Sequence, residues 1–338
     1  MEPVRVGVIG AGYWGPNLIR NFYEIPETEL KVVCDLNQER LDHINGLYPD
    51  VHTTQDIAEL LESDVEAVTI ATPVSSHYSL AMQCLHAGKH ILIEKPMTKS
   101  SSEAREILQT SKAVDKVVMT GFTFLFNPAV SALKEIIESG EIGDVYYING
   151  TRVNLGLYQP DVNVIWDLAP HDISLLQYIL GMDPESVSSR GGMFVKPGVC
   201  DVAYLTLHFP NSVLADLRVS WLDPCKIRRI TIVGSKKMVV YDDIEPENKI
   251  IIYDKGVEIQ PYTDTFEDFH LAYRYGDESP YPLKWEEPLK MECLHFVDSI
   301  RNKTSNYSDG VAGLKVVQVL EAAQNSMLNG GVRKEISW

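Results

Sequence analysis

Residues 4–121 alternate two hydrophobic periods with almost no slack, and this pattern constrains the chain more than any other feature. "VRVGVIG" (4–10) reads as a strand and is followed by a helical pattern through about Glu24. "ELKVVCD" (29–35) is a second strand, 38–46 a second helix, and "DIAELLE" (56–62) another helix. "EAVTIAT" (66–72) is a strand, and "SSHYSLAMQCLHAG" (75–88) is an amphipathic helix closed by Gly88. A strand at 90–94, a helix over about 100–114 and "KVVMTG" (116–121) complete the series. Strands alternating with helices of this length predict βαβ units and a doubly wound parallel sheet.

After Gly121 the texture changes. A helix (128–139) leads into strand-like runs at 144–153, 200–209, 212–221, 226–234, 236–243 and 249–255. Their close spacing and alternating polarity predict an antiparallel sheet with one wet face. "LAPHDISLLQYILG" (168–181) interrupts them with a helix expected to start near Pro170, and helices at about 285–301 and 311–329 close the chain. Residues 256–284, polar and aromatic, read as a long surface loop or an oligomer contact. The expected architecture is α/β: a dinucleotide-binding domain over 1–122, then an α+β domain over 123–338 with a large, mostly antiparallel open sheet.

The 338 residues suit two domains, and the net charge of −17 argues against a phosphate-backbone binder or an anionic membrane surface. Five scattered cysteines without a CxxC pair fit reduced thiols of a cytoplasmic protein. The first apolar run is too short for a signal peptide, and no run approaches the length of a membrane span. Cys84, His86 and His90 form a superficial ligand cluster, but Cys84 falls on the apolar face of its helix, so no metal is expected.

The glycine pattern Gly10-x-Gly12-x-x-Gly15, with Tyr13 and Trp14 inside it, lies between the first strand and the first helix. The first glycine allows a tight turn, the second lets backbone approach a pyrophosphate, and the third lets helix pack on strand. Alone the pattern is weak and a structural glycine turn would satisfy it; here the strand–loop–helix context is the required one. Asp35 ends the second strand 20 residues after Gly15. A carboxylate there accepts from the adenine-ribose 2′-hydroxyl and repels a 2′-phosphate, so NAD is expected over NADP. Thr72, Pro73 and His77 in "ATPVSSHY" fall at the carboxyl edge of the same sheet, where such sheets bind ligands. A helix cap by Ser75 or Ser76 is the bland alternative there.

"HILIEKPMT" carries a buried-looking strand into Glu94, Lys95 and Pro96 at that same edge. With "GVIGAGYWG", "ATPVSSHY", "WDLAPHDISLLQYILG" and "HFVDSIRNKTSNYSDGVAGLKVVQVLEAA", it resembles the Gfo/Idh/MocA oxidoreductases over essentially the whole chain. The resemblance implies a Rossmann domain and a catalytic, substrate-orienting role for Lys95, with Glu94 and Pro96 beside the cofactor and a cis bond at the proline. It also implies that Asp167 and His171 surround, with Lys95, the carbinol that is oxidised. An imidazole, with an ordinary pKa of about 6.5, suits proton transfer near neutrality. Asp172 directly after His171, and Trp-Asp where many relatives have glycines, depart from the family pattern and bear on pocket shape.

The substrate is read more thinly. By likeness, Asn127, Arg152, Asn154 and Tyr158, with Lys95, Asp167 and His171, wall a sugar pocket. The resemblance is greatest to relatives that oxidise C3 of a UDP-N-acetylhexosamine or its uronic acid. An anionic nucleotide would call on Arg152, Lys226, Arg228 and Arg229. An inositol or free-hexose dehydrogenase, and an NAD-dependent glycosidase acting by transient C3 oxidation, are the alternatives. Alternating apolar residues such as Val202, Tyr204, Thr206, Val213, Ala215 and Leu217 suggest an uncovered sheet face, and the family implies a homodimer or homotetramer.

Overall fold

The computed structural model describes residues 2–156, 158, 162–259, 271–303 and 307–338. Two compact units divide the chain. The first comprises Met1–Asn127, Glu286–Glu321 and Ser337–Trp338, and the second Pro128–Trp285 and Ala322–Ile336.

In the first unit the predicted alternation becomes β1 (Val4–Ile9), α1 (Gly15–Glu24), β2 (Thr28–Cys34), α2 (Gln38–Leu47), β3 (His52–Thr54), α3 (Ile57–Glu62), β4 (Ala67–Ile70), α4 (Val74–His86), β5 (His90–Glu94), α5 (Ser101–Ala113) and β6 (Val118–Gly121). All five strand pairs are parallel, in the order β3-β2-β1-β4-β5-β6. Val6, Val8, Val33, Val68, Ile70, Ile91, Leu92 and Ile93 are buried, which is why these strands read as continuous apolar runs. Each such side chain contributes about 1.5–3 kcal/mol on leaving water. The chain winds outward from β1 to β3, then crosses to β4 and winds the other way. The loops after β1 and β4 therefore diverge at the switch point where such sheets hold ligands.

In the second unit come α6 (Pro128–Glu138), β7 (Val145–Leu155), α7 (Val164–Leu180), β8 (Ser186–Gly192), β9 (Val202–His208), β10 (Leu214–Ser220), β11 (Leu222–Gly234), β12 (Met238–Asp242), β13 (Ile250–Ile259) and β14 (Leu271–Pro280). The chain then returns to the first unit with α8 (Pro288–Asn302). α9 (Gly310–Leu328) begins there, its residues from Ala322 onward belong to the second unit, and β15 (Lys334–Glu335) follows. The nine-stranded sheet runs β14-β13-β12-β11-β7-β10-β9-β8-β15 and is antiparallel except where β10 pairs with β7.

Four expectations change. The split after residue 122 leaves α8 in the second domain, whereas α8 and the first part of α9 pack in the first unit. A Cβ on Gly313 would come 2.2 Å from Thr120 Oγ1, and Thr120 N–H donates to Ser308 O at 2.8 Å, so only a bare backbone fits so close to β6. α7 begins at Val164 rather than near Pro170, because Asn163 Oδ1 accepts from the Ile165 and Trp166 amides at 3.0 and 3.3 Å and caps the helix earlier. Residues 256–259 and 271–280 are strand, not loop; residues 260–270 lie outside the described residues. Finally, the face expected to be apolar is mixed. Ala215 and Leu217 sit opposite the buried Leu207 and Leu205, while the outer face carries Tyr204, Thr206, Asp216 and Arg218, with Thr206 Oγ1 and Asp216 Oδ1 bonded at 2.6 Å.

Candidate active site

The glycine loop is shaped by the chain around it. Gly10 has φ +100°, and a Cβ there would meet Ala71 O at 2.6 Å. A Cβ on Gly15 would fall 2.0 Å from Gly10 O, so α1 starts hard against the end of β1. Gly12 is different. The nearest atom to its added Cβ is the Arg40 guanidinium at 3.5 Å, so no neighbour among the described residues demands a glycine there. The bare backbone at Gly12 and the α1 N-terminus, which has no side-chain cap and no acid in its first turn, fit a pyrophosphate. Tyr13 is exposed at 89%, and Trp14 occupies the N-cap position.

Asp35 is buried, and its carboxylate fastens the loop: Ala11 N–H donates to Oδ2 at 2.6 Å and Asn37 N–H to Oδ1 at 2.8 Å. Arg40 approaches Oδ2 at 3.5 Å. The acid expected to meet the cofactor ribose thus also ties the ends of β1 and β2 together.

At the end of β4, Thr72 Oγ1 and Ser76 Oγ are 2.7 Å apart, and Pro73 is the exposed N-cap of α4. Ser76 Oγ donates back to Pro73 O at 2.9 Å, so neither serine caps the helix. His77, expected to line the cofactor, is 1% exposed. Its Nε2 faces Thr72 O at 2.8 Å and its Nδ1 faces Pro96 O at 3.0 Å. The ring therefore clamps the β4 loop to the turn after β5.

That turn holds Glu94, Lys95 and Pro96, with a cis Lys95–Pro96 bond. Glu94 Oε2 accepts the Lys95 amide at 3.3 Å, while Oε1 is buried and meets no hydrogen-bond geometry among the described residues. Burial pushes the Glu94 carboxyl up to about 7, against the pull of the Lys95 charge and amide and of the Trp14 side chain. Asn127, buried, ends the first unit with its amide on Phe124 O at 3.1 Å.

In the second unit Asp167 and His171, one turn apart, share a face of α7. The indole of Trp221, buried at the end of β10, donates from Nε1 to Asp167 Oδ2 at 2.9 Å. Tyr158 packs at a tilt against that indole, ring centroids 5.0 Å apart and planes 54° from parallel, and Gly156 lets the chain pass, since a Cβ there would lie 2.7 Å from Trp221 Cδ1. Asn154 is half-buried beside it, its Oδ1 3.1 Å from that same point. Arg152, expected to bind substrate, is instead buried in a two-pronged pair with Asp172: Nε to Oδ2 and Nη2 to Oδ1, both 2.8 Å. This explains the unusual acid after His171; it fastens α7 to β7. Arg228 pairs with Asp243 at 3.3 Å and Arg229 with Asp242 at 2.8 Å, so these too are engaged within the protein.

Sequence reasoning missed Trp221, and it missed Glu292 on α8, which is wholly buried and accepts from Thr123 Oγ1 at 2.8 Å. Nothing in the local pattern marks Trp221; for Glu292 an acid on the apolar stripe "LKMECLHF" was the available signal.

Residues 4–122 match the family described as "Oxidoreductase family, NAD-binding Rossmann fold", and residues 130–240 match the GFO/IDH/MocA C-terminal domain. The chain belongs to the Gfo/Idh/MocA oxidoreductase family. The glycine loop and Asp35 accordingly lie within the NAD-binding Rossmann domain of that family. Among relatives, it is 27% identical to scyllo-inositol 2-dehydrogenase (NAD(+)) of Bacillus subtilis, covering 97% of this chain and 95% of that one. It is equally 27% identical to UDP-N-acetylglucosamine 3-dehydrogenase of Acidithiobacillus ferrooxidans, covering 94% and 95%. The solved structure of the latter enzyme superposes with a TM-score of 0.80 at 25% identity, covering 97% of this chain and 98% of that one.

Proposed function

We propose that the protein oxidises a ring secondary alcohol of a nucleotide-linked hexosamine, most simply at C3. The observation that carries the dehydrogenase reading is the pairing of an NAD-shaped glycine loop with Lys95 at the carboxyl edge of the same parallel sheet. NAD, when bound, supplies the hydride acceptor. The protein's own residues handle the proton. Lys95 as an ammonium stabilises the alkoxide that forms as hydride leaves, and His171 takes the hydroxyl proton and returns it to water. Asp167, fixed by the Trp221 indole, orients the imidazole or a neighbouring substrate hydroxyl.

The likeness to UDP-N-acetylglucosamine 3-dehydrogenase, in sequence and in fold, supports the nucleotide-linked reading. A second reading, a free inositol or hexose, has an observation of its own. Arg152, Arg228 and Arg229, the arginines on β7 and β11 suited to a diphosphate, are each held by an aspartate. A neutral cyclitol asks for no such cation.

NADH formation measured across UDP-hexosamines, UDP-uronic acids, inositols and free hexoses separates them. Turnover confined to the UDP sugars supports the first reading. Turnover with inositols alone replaces it by the second, and release of free sugar without net NADH points to glycosidase chemistry.

A further inference from the structure

Trp166, the first residue of the Trp-Asp step in α7, is buried in the opening turn of that helix at 7% exposure. A buried indole needs an acceptor for its N–H. Trp166 Nε1 donates to Gln324 Oε1 of α9. The same oxygen accepts from Asn163 Nδ2 at 3.3 Å. Asn163 is the N-cap whose side chain takes the Ile165 and Trp166 amides, and its carbonyl accepts the Asp167 amide at 3.0 Å. Val164 N–H donates to Cys200 O at 3.0 Å, so the amides from Val164 to Asp167 are all engaged. One oxygen of Gln324 therefore joins the cap of α7 to the indole next to Asp167.

Gln324 is itself well anchored. It lies in the part of α9 that belongs to the second unit, between Ala323 and Ser326. Ser189 of β8 donates its amide to Ser326 Oγ at 2.9 Å and its hydroxyl to Ala323 O, and both serines are buried. The sheet holds α9, and α9 holds the start of α7 through Gln324. Trp221 meets Asp167 from the end of β10, so the carboxylate lies between two supports.

We propose that Gln324 is a positioning residue for Asp167, acting through the Trp166 indole and the Asn163 cap. Without its oxygen the buried Trp166 N–H loses its acceptor, a cost relieved by turning the indole toward water. That turn displaces the backbone one residue before Asp167 and loosens the cap at the same time. The carboxylate then shifts against the Trp221 N–H. A displacement of about 1 Å in a reacting constellation is enough to lower its rate.

The position of Asp167 can be read without substrate, because the Trp221 indole N–H bonded to it reports on it. Proton–nitrogen correlation spectra supply the measurement, with the indole resonances assigned from Trp166→Phe and Trp221→Phe. Gln324→Leu should move the Trp221 N–H resonance and speed solvent exchange of the Trp166 N–H about tenfold. Gln324→Glu, which keeps an acceptor in place, should restore both. A Trp221 resonance that stays put in Gln324→Leu while the melting temperature falls would show packing alone and overturn the proposal. Should Gln324→Leu not fold, Trp166→Phe removes the donor of the same bond, and an unmoved Trp221 resonance there overturns it equally. The kinetic arm rests on the role proposed for Asp167. Gln324→Leu should lower kcat about three- to tenfold with KM within about twofold, and Gln324→Glu should recover it. A displaced Trp221 resonance with unchanged kcat supports the positioning and removes the proposed role of Asp167, which tells the two failures apart.

Discussion

Asp167 accepts a hydrogen bond from an indole. Trp221 is buried, it stands more than fifty residues from Asp167 in sequence, and its Nε1 is 2.9 Å from the carboxylate. A hydrogen bond to a charged group contributes about 1.5–3 kcal/mol, and every 1.4 kcal/mol is tenfold in rate. Trp221→Phe keeps most of the packing and removes the donor. It should lower kcat about tenfold to a hundredfold while leaving the affinity for NAD, measured by titration without substrate, within about twofold. Equal losses in both would mean that the indole supports the fold and not Asp167. At this scale the sequence offered the candidate side chains, because acids, lysines and histidines at loop and helix ends stand out. It did not show their supports. A tryptophan, a glycine or a buried glutamate takes its meaning from what packs on it, and so does Arg152: only the fold reveals that Asp172 holds its guanidinium.

Among the elements, α7 carries both Asp167 and His171 and is fastened to β7 by the Arg152–Asp172 pair. Removing one member of such a buried pair leaves an unpaired charge, which costs about 3–5 kcal/mol. Arg152→Leu should lose that much in urea-monitored unfolding, and Arg152→Leu with Asp172→Leu should recover most of it. If the double variant is as unstable as the single one, the pair is not what fastens the helix. β5 contributes a second, pH-dependent effect. His90 Nδ1 accepts the Val117 amide at 3.0 Å, and burial, aided by Lys116, pushes its pKa down to about 4. The folded state then binds fewer protons than the unfolded chain between about pH 4 and the ordinary histidine value of about 6.5, so stability falls as pH drops through that window. His90→Gln should flatten melting temperature against pH on the acid side. Element boundaries were legible where period and caps agree, as from β1 to β6. They were lost where a cap precedes a proline, as in α7, and where a hairpin exposes both faces. Tyr273 and Tyr275 are both exposed on β14, so no buried stripe announces the strand.

For the whole molecule, the sequence divided the chain once, whereas the folded units interleave. The parallel sheet and the mixed sheet each follow from a local period, but the return of α8 and part of α9 to the first unit follows from packing against α1 and β6, which no local period encodes. That return is what buries Glu292 against the Thr123 hydroxyl, a contact that no local pattern announces. The account depends on Lys95 acting on a substrate alcohol and not on cofactor capture. The most direct measurement is single-turnover NADH formation by Lys95→Ala, alongside NAD affinity for the same variant. The account predicts a hydride-transfer rate lower by about 10²–10⁴, the usual contribution of a positioned proton-handling group, with NAD affinity nearly unchanged. A near-wild-type rate in Lys95→Ala would contradict it.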